Sequence, residues 1–390
     1  MTLCIVAIFL ATSANGAGIK KRILILGDSW AASIATVQHD GPGFGSFDAV
    51  LAANGFDTYT TEGATAWGGR TALQFATGQS YRDLIAQTLN ANPDIVAVHL
   101  IIGGNDFLGV VTNQDLYTAP WDAASRDVQW NTIKGYVQSI ANFCMSVRPG
   151  IKVLISDYDY LGLAQAQGIY GWTFGGMTQR QVNDAFVELG HKKLDVAMTT
   201  PDCHYVTNWG VLQAGYNYPG PGVPMPGTYP DYTPYAGGNA DYAMPVAANV
   251  GDGIHPTDEA HRLMLQRCMD QFYRSWLNDI DEDGLSYADE TEDLNPDIPG
   301  IQNPFDPDVA DVTGNAFSNS PDGVPDGQND YDGDGISNAD EFAAGTNPLD
   351  PADPTSAPTP TMSVSPLAVT GVILATLGLF LIWRRERSDV

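Results

Sequence analysis

The chain has 390 residues, 44% hydrophobic and 10% aromatic, which is enough apolar material for one large core or two smaller ones and excludes wholesale disorder. Its formal net charge is -28, and 21 of its Asp and Glu, with no Lys or Arg among them, lie between Asn278 and Thr355. A segment charged in this way repels nucleic acid and anionic lipid and attracts divalent cations, so nucleic acid is excluded as a partner.

Residues 1–17 read as a signal peptide. An apolar run from Leu3 to Ala11 is followed by small residues, Ala14-Asn15-Gly16-Ala17, as in an h-region and cleavage site, although no basic n-region precedes it. Ile23 to Leu26, ending at Gly27, is a short apolar run of the kind that forms a buried parallel strand. So are Ile95 to Ile102, ending at Gly103-Gly104, and Ile151 to Ile155. Helical patterns fill the intervals: Ser80 to Asn90, Trp130 to Ser146, and later Gln179 to Met198. Strand and helix alternate, which predicts an α/β fold with a parallel sheet covered on both faces. Ligands then bind beyond the carboxyl ends of the strands, where the Gly-rich turns lie.

Tyr205 to Met244, rich in Gly, Pro and Tyr, predicts a long loop that is functional or mobile. It is expected to wall the substrate site. Its Tyr205, Trp209, Tyr216 and Tyr218 either pack its turns or offer exposed rings to sugars or acyl chains. Thr257 to Trp276 reads as a helix capped by Thr257. Residues 18–277 thus form the globular domain and 278–350 an acidic segment. Residues 351–365 form a Pro/Ser/Thr linker. Residues 366–383 carry no charge and are long enough to span a bilayer as a transmembrane helix. The Arg384, Arg385 and Arg387 cluster in 384–390 places that tail in the cytoplasm and the rest at the cell surface. Spacer, apolar helix and Arg-rich tail together resemble the C-terminal sorting signals of bacterial surface proteins. Of four cysteines, Cys4 leaves with the signal peptide. Cys144, Cys203 and Cys268 allow one disulfide and one free thiol, with Cys144 in an apolar helical pattern that reads as buried.

Four short motifs carry chemistry. In Gly27-Asp28-Ser29-Trp30, a Ser on a tight strand-to-helix turn presents its hydroxyl at the sheet edge. Asp252-Gly253-Ile254-His255-Pro256 holds a base and its orienter three residues apart. One imidazole nitrogen gives its hydrogen to the Asp, and the other takes the Ser proton. Gly103-Gly104-Asn105-Asp106 follows a strand, and the Asn105 amide can donate to a developing oxyanion. Gly63 could add a backbone donor, because its missing side chain allows close approach.

In this order the four motifs resemble the sequence blocks of the SGNH (GDSL-type) hydrolase superfamily, over about residues 20 to 277. The resemblance implies a flavodoxin-like three-layer α/β/α sandwich and hydrolysis of a carboxylic ester without a catalytic cofactor. It implies Ser29 as nucleophile, His255 as general base and then acid, and Asp252 as orienter. The oxyanion hole would be the Ser29 N–H, the Gly63 N–H and the Asn105 amide. The chain departs from the family in having Trp30 after the nucleophile, where Leu is common, and Glu62 beside Gly63 with no nearby Asn. Gly68 and Gly69 are therefore alternatives to Gly63. Substrates in view are acetylated glycans and lipid esters. A surface adhesin on an inactive hydrolase scaffold is the reading from another class.

The acidic segment has its own pattern. Asp279, Asp281 and Asp283 precede Gly284 and Glu290, and Asp330, Asp332 and Asp334 precede Gly335 and Glu341. Counted from the first Asp, acids fall at one, three, five and twelve and Gly at six, the spacing of an EF-hand calcium loop. The flanks lack long apolar helices. The second loop and its Gly345-Thr346-Asn347-Pro348 ending resemble bacterial thrombospondin type 3 repeats, which implies structural Ca2+ in a rigid stalk. An assembly role for this stalk at the cell surface is the third reading.

Overall fold

The computed structural model describes residues 21–112, 122–229, 237–278, 328, 330, 333–346, 348 and 352. The chain divides into two compact units, Met1–Ser275 and Trp276–Val390.

In the first unit, five strands form one parallel sheet: β1 (Lys21–Gly27), β4 (Tyr59–Ala66), β5 (Ile95–Ile101), β6 (Lys152–Ser156) and β7 (Cys203–Val206). A two-residue ribbon, β2 (Val37–Gln38) and β3 (Gly41–Pro42), stands apart. The spatial order is β4-β1-β5-β6-β7. Numbering only the five sheet strands gives 2-1-3-4-5, the flavodoxin-like order, whose direction reverses between β1 and β5. Ile23 to Leu26 are each fully buried. Because successive strand residues face opposite ways, burial at every position means that both faces are covered.

The helices form two packed groups. One is α3 (Ala72–Thr77), α4 (Gln79–Ala91), α6 (Ala123–Val147) and α8 (Gln179–Thr199); the other is α1 (Ser29–Ile34), α2 (Ser46–Ala53) and α10 (Asp258–Cys268). Between them in sequence come α5 (Gly104–Val111), α7 (Leu163–Tyr170) and α9 (Val211–Gly215). Helix starts follow local chemistry. Thr71 and Thr178 each make a reciprocal capping box with a Gln three residues on, and Asp122 and Thr257 cap their helices with side-chain oxygens. After α10 the chain makes one π turn, Met269–Tyr273, then α11 (Arg274–Asn278).

The segment expected to be one long loop is partly ordered: Tyr205 and Val206 finish β7, and α9 follows. In the second unit, α12 (Asn338–Ala344) is capped by Ser337 and closed by Gly345 at φ 75°. Residues 1–17, 366–383 and 384–390, read as signal peptide, membrane helix and basic tail, lie outside the described residues. Among the described residues no helix is long and apolar enough to cross a membrane.

Candidate active site

The switch point between β1 and β5 is where the motifs meet. Gly27 sits at φ 145°, and a Cβ there would lie 1.8 Å from the Ile101 carbonyl oxygen. Only glycine lets the two strand ends close so tightly. Asp28 then caps α1, its Oδ1 accepting from the Trp30 N–H at 3.1 Å. This makes Ser29 the first residue of the helix, at the sheet edge.

Asp252 and His255 arrive on a loop folded by its own amides. Asn249 Oδ1 accepts from the N–H groups of Gly251 (2.6 Å) and Gly253 (3.0 Å), and the Val250 N–H donates to the His255 carbonyl at 3.0 Å. Gly253, at φ 78°, is pressed against Gly162, whose N–H donates to the Gly253 carbonyl at 2.7 Å.

These two turns bring together residues 226 apart in sequence. His255 Nε2 lies 2.8 Å from Ser29 Oγ, and His255 Nδ1 lies 2.6 Å from Asp252 Oδ2. Asp252 Oδ1 accepts from the N–H groups of Ile254 (2.8 Å) and His255 (2.9 Å). Tyr170, the last residue of α7, donates its hydroxyl to Asp252 Oδ2 at 2.7 Å. Partial burial raises the Asp252 carboxyl, but the His255 ring, these two N–H groups and the Tyr170 hydroxyl outweigh it and hold the group well below the usual carboxylate range. Burial and the neighbouring Asp252 push the Tyr170 hydroxyl up to about 12, so it stays a donor.

Opposite His255, Asn105 lies in the first turn of α5, with Nδ2 donating to the Arg70 carbonyl at 2.9 Å. Asp106 accepts from the N–H groups of Ala72 (2.6 Å) and Leu73 (3.2 Å), tying the start of α3 to α5. The chain just before α3 therefore stays beside Asn105. Gly69, at φ 73°, belongs to that chain and lines one cavity with Ser29, Asn105 and His255.

Next to Ser29 and Asn105 lies a buried polar layer. Tyr158 donates to Asp28 Oδ2 and accepts from the Gly104 N–H at 2.9 Å, bridging the Ser29 turn and the Asn105 turn. Burial pushes the Asp28 carboxyl up to about 6, against the Tyr158 hydroxyl, the Trp30 N–H and the charge of Lys193. Lys193 from α8 pairs with Asp157 at 2.9 Å, both side chains having no exposed surface, and its Nζ lies 4.3 Å from the Tyr158 ring centre. The Tyr205 hydroxyl donates to the other oxygen of Asp157.

Residues 330–351 match the family described as the bacterial TSP3 repeat. No curated protein matches the sequence. Similar solved structures include a carbohydrate esterase family 3 protein from Talaromyces cellulolyticus, at 10% identity and TM-score 0.38, over 65% of this chain and 97% of that one. The lipase Lip_vut3 from a goat rumen metagenome is similar at 10% identity and TM-score 0.40, over 65% and 98%. An extracellular lipase from Streptomyces rimosus is similar at 14% identity and TM-score 0.39, over 64% and 98%. At these identities and scores the similarities add no weight to the site, which rests on its own geometry.

Several expectations need correction. Gly63 does not line the cavity; it sits within β4, where a Cβ would lie 1.8 Å from the Val37 carbonyl oxygen. Its glycine serves the approach of β2 to β4, and Gly69 takes the place beside Asn105. Tyr205 and Trp209 are fully buried, so neither can meet a substrate. None of the described residues between Tyr205 and Met244 lines the cavity; Tyr158, Leu161, Tyr170 and Trp172 do, together with residues of the Ser29, Asn105 and His255 turns and Phe186. Cys144, Cys203 and Cys268 are all buried and free, so they form no disulfide. Tyr158, Tyr170, Asn249 and Lys193 were not singled out by the sequence; only the Asn-x-Gly-x-Gly spacing at 249–253 carried a local signal, that of an Asx turn.

In the acidic segment, Asp279, Asp281, Asp283, Glu290 and Asp332 lie outside the described residues. Asp330 and Asp334 curl the backbone around their carboxylates. Asp330 Oδ1 accepts from the N–H groups of Gly333 (2.8 Å) and Asp334 (3.1 Å), and its Oδ2 from Gly335 at 2.8 Å. Asp334 Oδ1 accepts from the Ile336 N–H at 2.8 Å. Gly333 and Gly335 adopt φ 77° and 96°, and Glu341 follows in the first turn of α12.

Proposed function

We propose that this protein is a serine hydrolase of carboxylic esters that works through an acyl-enzyme on Ser29. The observation that carries this reading is the continuous file of hydrogen bonds from Ser29 Oγ through both nitrogens of His255 to Asp252. Ser29 Oγ attacks the ester carbonyl carbon as His255 Nε2 takes its proton. The carbonyl electron pair moves onto oxygen, where the Ser29 N–H, the Gly69 N–H and the Asn105 amide would donate. Collapse restores the carbonyl, and the departing alcohol takes the proton from Nε2. Water then repeats the sequence, releasing the carboxylic acid and free Ser29. Asp252 stays ionised throughout and holds the imidazole in one tautomer.

The full chain is expected to hydrolyse p-nitrophenyl butyrate. A fluorophosphonate should add one mass adduct on the peptide containing Ser29, and none in Ser29→Ala. A folded protein that neither turns over the ester nor takes the adduct would leave a binding module on a hydrolase scaffold as the better reading.

For the second unit, we infer a calcium-ordered stalk on a protein exported and held at the cell surface. This is supported by the TSP3 match and by the run of hard carboxylate oxygens at 330, 332, 334 and 341, donors suited to Ca2+. Asp279, Asp281, Asp283 and Glu290 would hold a second ion. Bound calcium would order a chain with little apolar core of its own. Chelation should open residues 278–350 to protease while p-nitrophenyl butyrate hydrolysis changes less than about twofold, since ligand linkage acts on the unit that binds. A tenfold loss of hydrolysis on chelation, with the first unit still folded, would refute that independence.

A further inference from the structure

Beside Ser29 the cavity runs inward, with a volume of about 200 Å³. Its inner wall is apolar: Trp30, Leu108, Leu161, Phe186 and Ile254, each no more than 9% exposed. Its mouth is framed by Tyr170 and Trp172, whose rings stack at 4.4 Å and 17°. The polar side-chain groups among its lining residues are those of Asp28, Ser29, Asn105, His255, Tyr158 and Tyr170 and the indole N–H of Trp30 and Trp172; the Tyr158 and Tyr170 hydroxyls already serve Asp28 and Asp252. A sugar ring entering this space would leave its hydroxyls unpaired, which is costly in a buried site. A hydrocarbon chain needs no hydrogen-bond partner there.

We infer that this cavity is an acyl pocket that selects esters of medium-chain fatty acids, with Tyr170 and Trp172 as the residues that set specificity at its mouth. The inference rests on the proposed ester hydrolysis at Ser29 and names the acid part of its substrate. Size follows from volume. A dry apolar cavity of about 150 Å³ accepts a six-carbon ring, so this one accommodates a chain of roughly six carbons together with the ester group. Acetyl esters would fill only its entrance, and long chains would overrun it. Tyr170 also joins the mouth to the catalytic file, because the ring that stacks on Trp172 carries the hydroxyl bonded to Asp252. A chain seated against that pair is held beside the carboxylate that orients His255.

The test is a series of p-nitrophenyl esters with one leaving group and acyl chains from acetate to palmitate, run on the full chain beside Ser29→Ala. Each buried methylene is expected to raise kcat/KM roughly fourfold at most, so hexanoate should exceed acetate by roughly tenfold or more, with a decline beyond about eight carbons. Leu161→Trp, which fills the inner wall, should lower the hexanoate-to-acetate ratio about tenfold. Because a larger core side chain can also disturb folding, Trp172→Ala at the part-exposed mouth serves as the second variant, with the same ratio falling several-fold. A profile that is flat or highest at acetate, with all activity lost in Ser29→Ala, would overturn the acyl pocket and leave the hydrolase standing. A profile still rising at palmitate would overturn the size limit, and with it the pocket as drawn. No hydrolysis of any ester by the folded protein would overturn both.

Discussion

Ser29→Ala and His255→Ala should each lower kcat for p-nitrophenyl butyrate by roughly 10⁵- to 10⁶-fold, and Asp252→Asn by roughly 10⁴-fold. The reason lies in two distances. With Oγ 2.8 Å from Nε2 and Nδ1 2.6 Å from the carboxylate, each group acts through the next: losing Ser29 or His255 leaves the other idle, while losing the carboxylate leaves a misoriented base. The double variant Ser29→Ala/His255→Ala should thus be no slower than either single one, as for groups that act as a unit. Asp252→Asn keeps the loop folded while presenting the wrong partner to Nδ1, so its KM should stay close to that of the natural enzyme. Asn105→Ala should sit above all three, with a loss of about 10²- to 10³-fold, because other donors remain to the oxyanion. Steady-state kinetics, with circular dichroism to show folding, decide the matter. More than about 1% of the natural rate in Ser29→Ala would refute the acyl-enzyme.

Lys193→Met should destabilise the first unit by about 3–5 kcal/mol, the usual loss when one partner of a buried ion pair is removed. The pair with Asp157 has no exposed surface on either side, so no water can replace the ammonium. Adding Asp157→Asn should recover much of the loss, since the orphaned charge, not the missing methylenes, is the main penalty.

The loss should also depend on pH. Burial raises the Asp28 carboxyl to about 6, and burial raises Asp106 too; the Lys193 charge opposes the rise at both. A carboxyl raised above its unfolded value favours the folded state while protonated, and that contribution fades as pH rises through the folded pKa. Removing Lys193 lifts both further, so the single variant should be worse at pH 8 than at pH 5. Urea unfolding at the two pH values measures this, and equal losses at both would show that Lys193 does not act on these carboxyls.

Local chemistry was legible in the sequence where it is written in local residues. The apolar runs at Ile23 to Leu26 and Ile95 to Ile102 need no partner to be read as buried strands, because uninterrupted apolar sequence suits a sheet covered on both faces. Thr257 as a cap and the glycines ending β1 and β5 are also local statements. So are the Asp and His three residues apart, which one turn brings onto a single carboxylate.

What the sequence could not show depends on which strands become neighbours. Gly63 and Gly69 are both glycines beyond the first strand, and only the packing of β2 on β4 assigns Gly63 to that contact and leaves Gly69 at the cavity. Tyr205 and Trp209 could be read from the sequence either as packing residues or as exposed rings, and the fold buries both, Tyr205 on β7. Lys193 follows Lys192 in an amphipathic helix like a surface residue; Lys192 does reach the exposed Asp127, while one step around the helix Lys193 points at Asp157 beneath the site. The Ser29, Asn105, Asp252 and His255 motifs, their order and the strand ends that carry the first two were legible in the sequence alone. The place of Gly69 at the cavity, the Tyr170 contact and the apolar lining came from the sheet order, because each joins side chains whose neighbours are chosen by packing and not by spacing along the chain.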